Sequence, residues 1–177
     1  MKNIVYIATS IDGYIADKNG SVDWLHEIDN PTQDDMGFSQ HMASVDALVM
    51  GRNTLDIVLN FGIEWPYDKP VFVLSHRLTC VPDGLEGKVF LLNTDVESAV
   101  MQLRKQGFKN LYIDGGNVIQ QFLTADLIDE MVISTIPILL GDGIKLFSQL
   151  PVTLTFDLVD VKSHLSAIVQ STYRRKR

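Results

Sequence analysis

The sequence holds a single cysteine, Cys80, so no disulfide can form within the chain, and a reducing compartment suits it. Cys80 has no basic neighbour closer than Arg77 and reads as a structural residue, not a thiol nucleophile. No apolar run approaches the ~18 residues that a membrane-spanning helix needs. The amino terminus, Met1 to Tyr6, enters a strand pattern directly, without the apolar stretch and cleavage site of a signal peptide. Positive charge is scarce: 15 Lys and Arg stand against 22 Asp and Glu, for a net charge of −7. That balance disfavours nonspecific binding to nucleic acid or to an anionic membrane. The one basic cluster, Arg174-Arg175-Lys176-Arg177, is expected as a solvated tail. These absences leave a cytoplasmic protein acting on a small molecule as the expectation.

Several chemical signatures are missing as well. The four histidines, His26, His41, His76 and His164, have neither short pairing nor nearby cysteines, so no metal site is expected. There is no Gly-x-Ser-x-Gly nucleophile elbow. Gly51-Arg52 is not followed by the Gly-Lys-Ser/Thr of a Walker loop, and the Gly-x-Gly-x-x-Gly fingerprint is absent. A dinucleotide site in this chain has to be built in another way.

What is present is an alternation of short apolar runs and helical patterns. The chain has 177 residues with 46% hydrophobic content, which suits one domain with a sizeable core. Strands are expected at 4–9, 47–50, 71–74, 88–92, 111–113 and 131–136. Helices are expected from about 32–34, at 54–59, from 94 or 95 to Gly107, and at 118–123. The first of these would place Asp34 and Asp35 in its first turn and Met36, Met42 and Ala43 on its buried stripe. Residues 21–33 read as a loop, and Asp17-Lys18-Asn19-Gly20 as a turn. The segments 152–161 and 164–173, rich in Val, Thr, Phe and Ile, read as an antiparallel hairpin. The expected fold is α/β: a mixed, mostly parallel sheet flanked by helices on both faces, with a C-terminal antiparallel β-hairpin.

Three strand-to-helix or strand-to-loop junctions carry residues suited to phosphate. Gly51-Arg52-Asn53-Thr54 offers a planar guanidinium and a hydroxyl at a helix start. Ser75-His76-Arg77 offers a second hydroxyl and guanidinium. Gly115-Gly116-Asn117-Val118 offers free backbone N–H groups at a helix N-terminus, where an anion is favoured. All three fall at carboxyl ends of strands, where ligands of open α/β sheets bind. Each piece alone has a bland reading as an ion pair or tight turn; together they point to an anion site.

These residues, with Ser10-Ile11-Asp12-Gly13-Tyr14-Ile15-Ala16 and Leu140-Gly141-Asp142-Gly143, resemble the dihydrofolate reductase-like superfamily. Within it the chain is most similar to the reductase domain of bifunctional riboflavin biosynthesis proteins, over essentially its whole length. The resemblance implies an NADPH-dependent reductase. It assigns Arg52, Asn53 and Thr54 to the cofactor phosphates, Ser75 and Arg77 to the 2′-phosphate, and Gly115, Gly116, Asn117 and Val118 to the diphosphate, with Gly51 and His76 also counted as cofactor-binding. Ala8 and Ile15 would border the nicotinamide, and the segment after Asp12 would act as a flexible lid. Counting back from Gly51, Asp35 falls where dihydrofolate reductases keep a pterin-binding carboxylate. Asp12 and Asp35 are the candidate catalytic carboxylates, with Ser39 and Ser134 beside them in substrate binding. A homodimer is expected from the same resemblance.

Two positions depart from the riboflavin branch. Tyr6 stands where a lysine is usual, and Leu55-Asp56-Ile57-Val58-Leu59-Asn60 replaces the Arg-Ala-Asp-Asp-Pro type of segment that helps hold a ribose phosphate. Lys69 lies near the place of the residue that holds folate's glutamate tail. The substrate therefore stays open between a dihydrofolate-like pterin and a 5-amino-6-(5-phosphoribosylamino)uracil-like pyrimidine. A nucleotide-binding module without turnover and a broad-specificity reductase remain alternatives.

Overall fold

The computed structural model describes residues 1–177. Ten strands and four α-helices follow one another as β1 (Lys2–Ser10), β2 (Tyr14–Ala16), α1 (Phe38–Ser44), β3 (Ala47–Gly51), α2 (Arg52–Asn60), β4 (Val71–Leu74), β5 (Val89–Leu92), α3 (Val96–Lys105), β6 (Asn110–Asp114), α4 (Gly116–Thr124), β7 (Glu130–Ile136), β8 (Ile144–Lys145), β9 (Phe156–His164) and β10 (Ile168–Arg175). A 3-10 turn, Asp23–Glu27, lies within the long segment after β2. Eight strands form one sheet in the order β5-β4-β3-β6-β1-β7-β10-β9. Pairing is parallel from β5 through β7 and antiparallel where β10 meets β7 and β9.

Continuous apolar runs make the central strands because both faces are covered. On one face Val5, Val49 and Ile113 meet α3 through Ala99 and Leu103, and α4 through Val118, Ile119, Phe122 and Leu123. The spacing of those α4 residues turns one stripe inward, and burying Phe122 fully contributes roughly 1.5–3 kcal/mol. On the other face Ile4, Leu48, Met50 and Tyr112 pack against Leu55 of α2. Helices thus flank both faces, and the expected mostly parallel mixed sheet with a terminal hairpin is the fold observed.

Four local expectations are corrected. Helix α1 starts at Phe38 and not near residues 32–34, because Met36 and Gly37 take left-handed conformations (φ 55° and 88°) that no α-helix can include. His41 is buried on α1 while Ala43 is exposed. The hairpin sits later than expected because its turn falls at Leu165-Ser166, both left-handed without a glycine or asparagine to announce it. The terminal basic cluster is no free tail: Arg175 pairs with Asp126 at 2.7 Å and Arg177 with Asp129 at 2.5 Å.

The segment after Asp12 is also anchored. Asp12 accepts from the backbone N–H of Leu140 (3.2 Å) and Gly141 (2.8 Å), Leu146 N–H donates to the Gly13 carbonyl, and β2 pairs with β8. A Cβ on Gly143 would collide with the Ala16 carbonyl, so only glycine admits this approach. The expected flexible lid is a small, separately hydrogen-bonded two-stranded sheet.

Candidate active site

A cavity of about 570 Å³ opens across the carboxyl ends of β1, β3, β4 and β6. Its walls bring together all three junctions singled out in the sequence. Gly51 to Thr54 lie at the start of α2, Ser75 to Arg77 after β4, and Gly115 to Val118 at the start of α4. Two nine-residue helices therefore turn their N-termini toward one space, with the partial positive charge of each dipole. Ala8 and Ile15 line the same cavity, as do Thr94 and Gln121, which the sequence did not single out.

The local geometry fits an extended anionic ligand. Gly115 has φ +86°, and a Cβ there would run into Thr54 Oγ1. A Cβ on Gly116 would come 2.6 Å from Ile15 Cδ1. The approach of the two loops at Gly115 requires glycine, and the small residues there leave the Gly116 N–H uncovered by a side chain of its own, while the Gly115 N–H is held by Asp114. Ser75 Oγ accepts from the N–H of Arg77 (3.1 Å) and Leu78 (2.9 Å), so its own proton is free to be donated outward. The Arg52 side chain is 43% exposed, with a long 3.3 Å hydrogen bond to Asn53 Oδ1 and a 3.9 Å contact to Asp56, and remains available as a fork for a phosphate. His76 is turned to Asn93 by a 2.5 Å hydrogen bond.

One carboxyl in the cavity was missed. Asp114 ends β6 immediately before the glycine pair and accepts 2.8 Å from the Gly115 N–H. Burial, with no cation at hand, pushes its carboxyl up to about 6. The parallel register places Tyr6 of β1 one step past the Val5–Ile113 pair, beside Asp114. The signal was a carboxylate directly preceding Gly-Gly at a strand end.

The sequence-proposed substrate residues lie elsewhere. Asp12 is spent on the 140–141 backbone and on the Ser10 hydroxyl (2.6 Å), which holds it below the usual carboxylate range. Asp35 is exposed, and its oxygens accept from the N–H of Gly37 (2.8 Å) and Ser39 (3.0 Å). Hydrogen bonds from Ser39 and Gly37 lower its pKa too. Ser39 is exposed on α1. Ser134 is buried on β7 and accepts from Gln170 Nε2 at 3.1 Å. The same amide reaches the Met36 carbonyl at 2.9 Å, which also receives the Tyr6 hydroxyl at 2.8 Å. Tyr6 thus belongs to a buried tie between β1, β10 and the start of α1. None of Asp12, Asp35, Ser39 and Ser134 lines the cavity. Lys69 precedes the amino end of β4, near Asp46, whereas the cavity opens at the carboxyl ends of the strands.

Along α2, away from its N-terminus, the far part of the lining has another character. The 3-10 turn brings Val22 and Leu25, α2 brings Ile57, Val58 and Phe61, and the following loop brings Tyr67. Burial raises the Tyr67 phenol well above its usual range, so it stays a neutral hydroxyl. A flat ring can lie here between apolar walls, next to a carboxyl that titrates near neutrality.

Comparison with known proteins agrees with this architecture. A crystal structure from Shewanella sp. PV-4, assigned provisionally to riboflavin biosynthesis, is 55% identical with a TM-score of 0.98 over all of both chains. The uncharacterised protein YwjB of Bacillus subtilis is 36% identical over 152 residues, 84% of each chain. A pyrimidine reductase-like protein from Corynebacterium diphtheriae shares the fold at a TM-score of 0.72 and 17% identity, over 99% of this chain and 92% of that one. The family model of the RibD C-terminal domain matches residues 2–169. With the match spanning nearly the whole sequence, the chain belongs to the RibD C-terminal domain family, reductase domains of riboflavin biosynthesis.

Proposed function

We propose that the protein is an NADPH-dependent reductase that passes hydride to a small heteroaromatic ring of pterin or pyrimidine type. The observation that carries this reading is the convergence, in one cavity, of two helix N-termini, Arg52, Arg77, the Ser75 hydroxyl and the Asp114 carboxyl. Arg52, Asn53 and Thr54 would hold the cofactor phosphates, and Gly115 to Val118 its diphosphate. Arg77 and Ser75, with His76 turned aside, would meet the 2′-phosphate that distinguishes NADPH from NADH. Ala8 and Ile15 would form the apolar wall against which the nicotinamide is oriented.

NADPH, when bound, supplies the hydride, and the net reaction is ring plus NADPH plus a proton giving dihydro-ring plus NADP⁺. The proton has to come from the protein or water. Asp12 and Asp35 are both held ionised by hydrogen bonds, so neither carries a proton at neutral pH. Asp114, with its carboxyl near 6, keeps a usable fraction protonated and lies in the cavity. Asp114 would therefore hold the proton at its carboxyl oxygen and give it to the ring.

Isothermal titration with NADPH and then NADH tests the reading. Saturable micromolar NADPH binding, at least ~10-fold tighter than NADH, is expected from the added phosphate contacts. Absence of heat with either nucleotide overturns the cofactor assignment. Binding without turnover against pterin, pyrimidine and quinone panels would leave a nucleotide-binding module.

A further inference from the structure

The charged side chains of the cavity are unevenly divided. Its two strong cations, Arg52 and Arg77, both lie at the dinucleotide end. In the sequence, Arg52 is the only Lys or Arg between Lys18 and Lys69, the stretch that supplies every wall of the far end except Asp114. The far end itself is Val22, Leu25, Ile57, Val58, Phe61 and Tyr67. Its neighbours in sequence are acidic, Asp23, Asp56, Glu64 and Asp68, and no Lys or Arg stands within residues 22–25 or 57–67. Lys69, the nearest cation in sequence, lies before the amino end of β4, near Asp46, and does not line the cavity.

A phosphate ester or glutamate tail brought here would lose water and find no counter-charge on this wall, and the one acidic lining residue, Asp114, would repel it. A phosphoryl group needs a guanidinium, an ammonium or a helix N-terminus, and those present are assigned to the dinucleotide. The tyrosine phenol and the Asp114 carboxyl instead offer one or two directed hydrogen bonds inside an apolar slot.

We propose that the second substrate is an uncharged planar ring without phosphate or carboxylate tail, taken at the free-base or nucleoside level. Selection against the charged tail comes from the cation-free wall formed by residues 22–25 and 57–67. This inference rests on the cofactor reading above, because only a bound dinucleotide occupies Arg52 and Arg77.

The test is a two-stage titration of the whole protein. NADPH is titrated first, then the NADP⁺-saturated protein is titrated with 5-amino-6-ribosylaminouracil, its 5′-phosphate, lumazine and dihydrofolate. The nucleoside or lumazine is expected to bind at least ~10-fold more tightly than the phosphate ester and dihydrofolate. The exposed Phe61, changed to arginine (Phe61→Arg), should raise affinity for the phosphate ester about 10-fold by supplying the missing cation. Normal NADPH binding with a preference for the phosphate ester or dihydrofolate, with no binding of either uncharged ring, or with no gain in Phe61→Arg, overturns the substrate class alone. Failure of the first titration removes the cofactor reading and this inference with it.

Discussion

The two ends of the cavity are made of the same strands and helices but by opposite means. At the dinucleotide end, backbone does the work: two glycine junctions and two helix N-termini present N–H groups, and a turn at Ser75, whose oxygen takes the Arg77 and Leu78 N–H groups, leaves its hydroxyl proton to donate. At the ring end, side chains do it, with apolar walls drawn from the 3-10 turn, α2 and the loop at Tyr67 closing on Asp114. Backbone recognition suits a ligand part that never changes, and side-chain walls can be changed without disturbing the glycine scaffold. The comparison implies that cofactor and ring affinity respond to separate substitutions.

The largest effect is expected from Gly115→Ala. Its φ of +86° and the encroachment on Thr54 Oγ1 strain any side chain there. A loss of about 1–3 kcal/mol in stability is expected, readable by denaturant unfolding. NADPH affinity should fall more than ~100-fold, because the displaced loop carries both the diphosphate N–H groups and the Thr54 contact. An unchanged NADPH affinity would separate the glycine loop from cofactor binding.

Asp114→Asn should come next and should split activity from stability. Turnover is expected to drop about 10²–10³-fold as the proton source is lost. Stability should move the other way. A carboxyl near 6 in the fold and near 3.8 when unfolded binds more protons folded, so stability is greatest below 3.8 and is lost as pH rises to about 6. Removing that ionisation should stabilise the protein by about 1–3 kcal/mol at pH 7 to 8. His41 runs opposite: buried against Tyr6 and Tyr112 and held to about 4, it is protonated more easily in the unfolded chain and weakens the fold as pH falls below 6.5. In Asp114→Asn the loss set by His41 should therefore show between about pH 6.5 and 4 in urea midpoints, above the range where hydrogen-bonded carboxylates such as Asp12 and Asp35 add their own acid loss. A variant that loses no activity would leave Asp114 a destabilising bystander.

Arg77→Ala should have a smaller and more selective effect, lowering the NADPH-to-NADH preference about 10-fold while ring affinity holds. A loss of ring affinity in the same variant would blur the division between the two ends.

How much of this was legible in the sequence follows the same division. The dinucleotide end is local: each piece sits within four consecutive residues at a strand end, so Gly51 to Thr54, Ser75 to Arg77 and Gly115 to Val118 could be read directly and do meet in one cavity. The ring end is assembled from residues 22–25, 57–67 and 114, whose meeting depends on β3 and β6 pairing and on the path of the long segment after β2. No periodicity encodes that. The helix start near Asp34 was misplaced for a related reason. Acids before a helical pattern normally mark its first turn, but left-handed Met36 and Gly37 delay α1 and leave Asp35 capping from outside.

Asp35 gives the finest test of that lesson. If its position relative to Gly51 carried a pterin-binding role, Asp35→Asn would cost about 10²-fold in turnover. The structure gives its two oxygens to the Gly37 and Ser39 N–H groups and places it outside the cavity. An asparagine can keep one of those acceptors. The expected outcome is a turnover and KM within about threefold of the parent, a factor worth under 1 kcal/mol, with a slightly lower melting temperature from the weakened start of α1. Because α1 also carries His41 onto Tyr6, a larger loss confined to KM would show that the ring end extends to this helix, and the cavity's two-part division would have to be redrawn there.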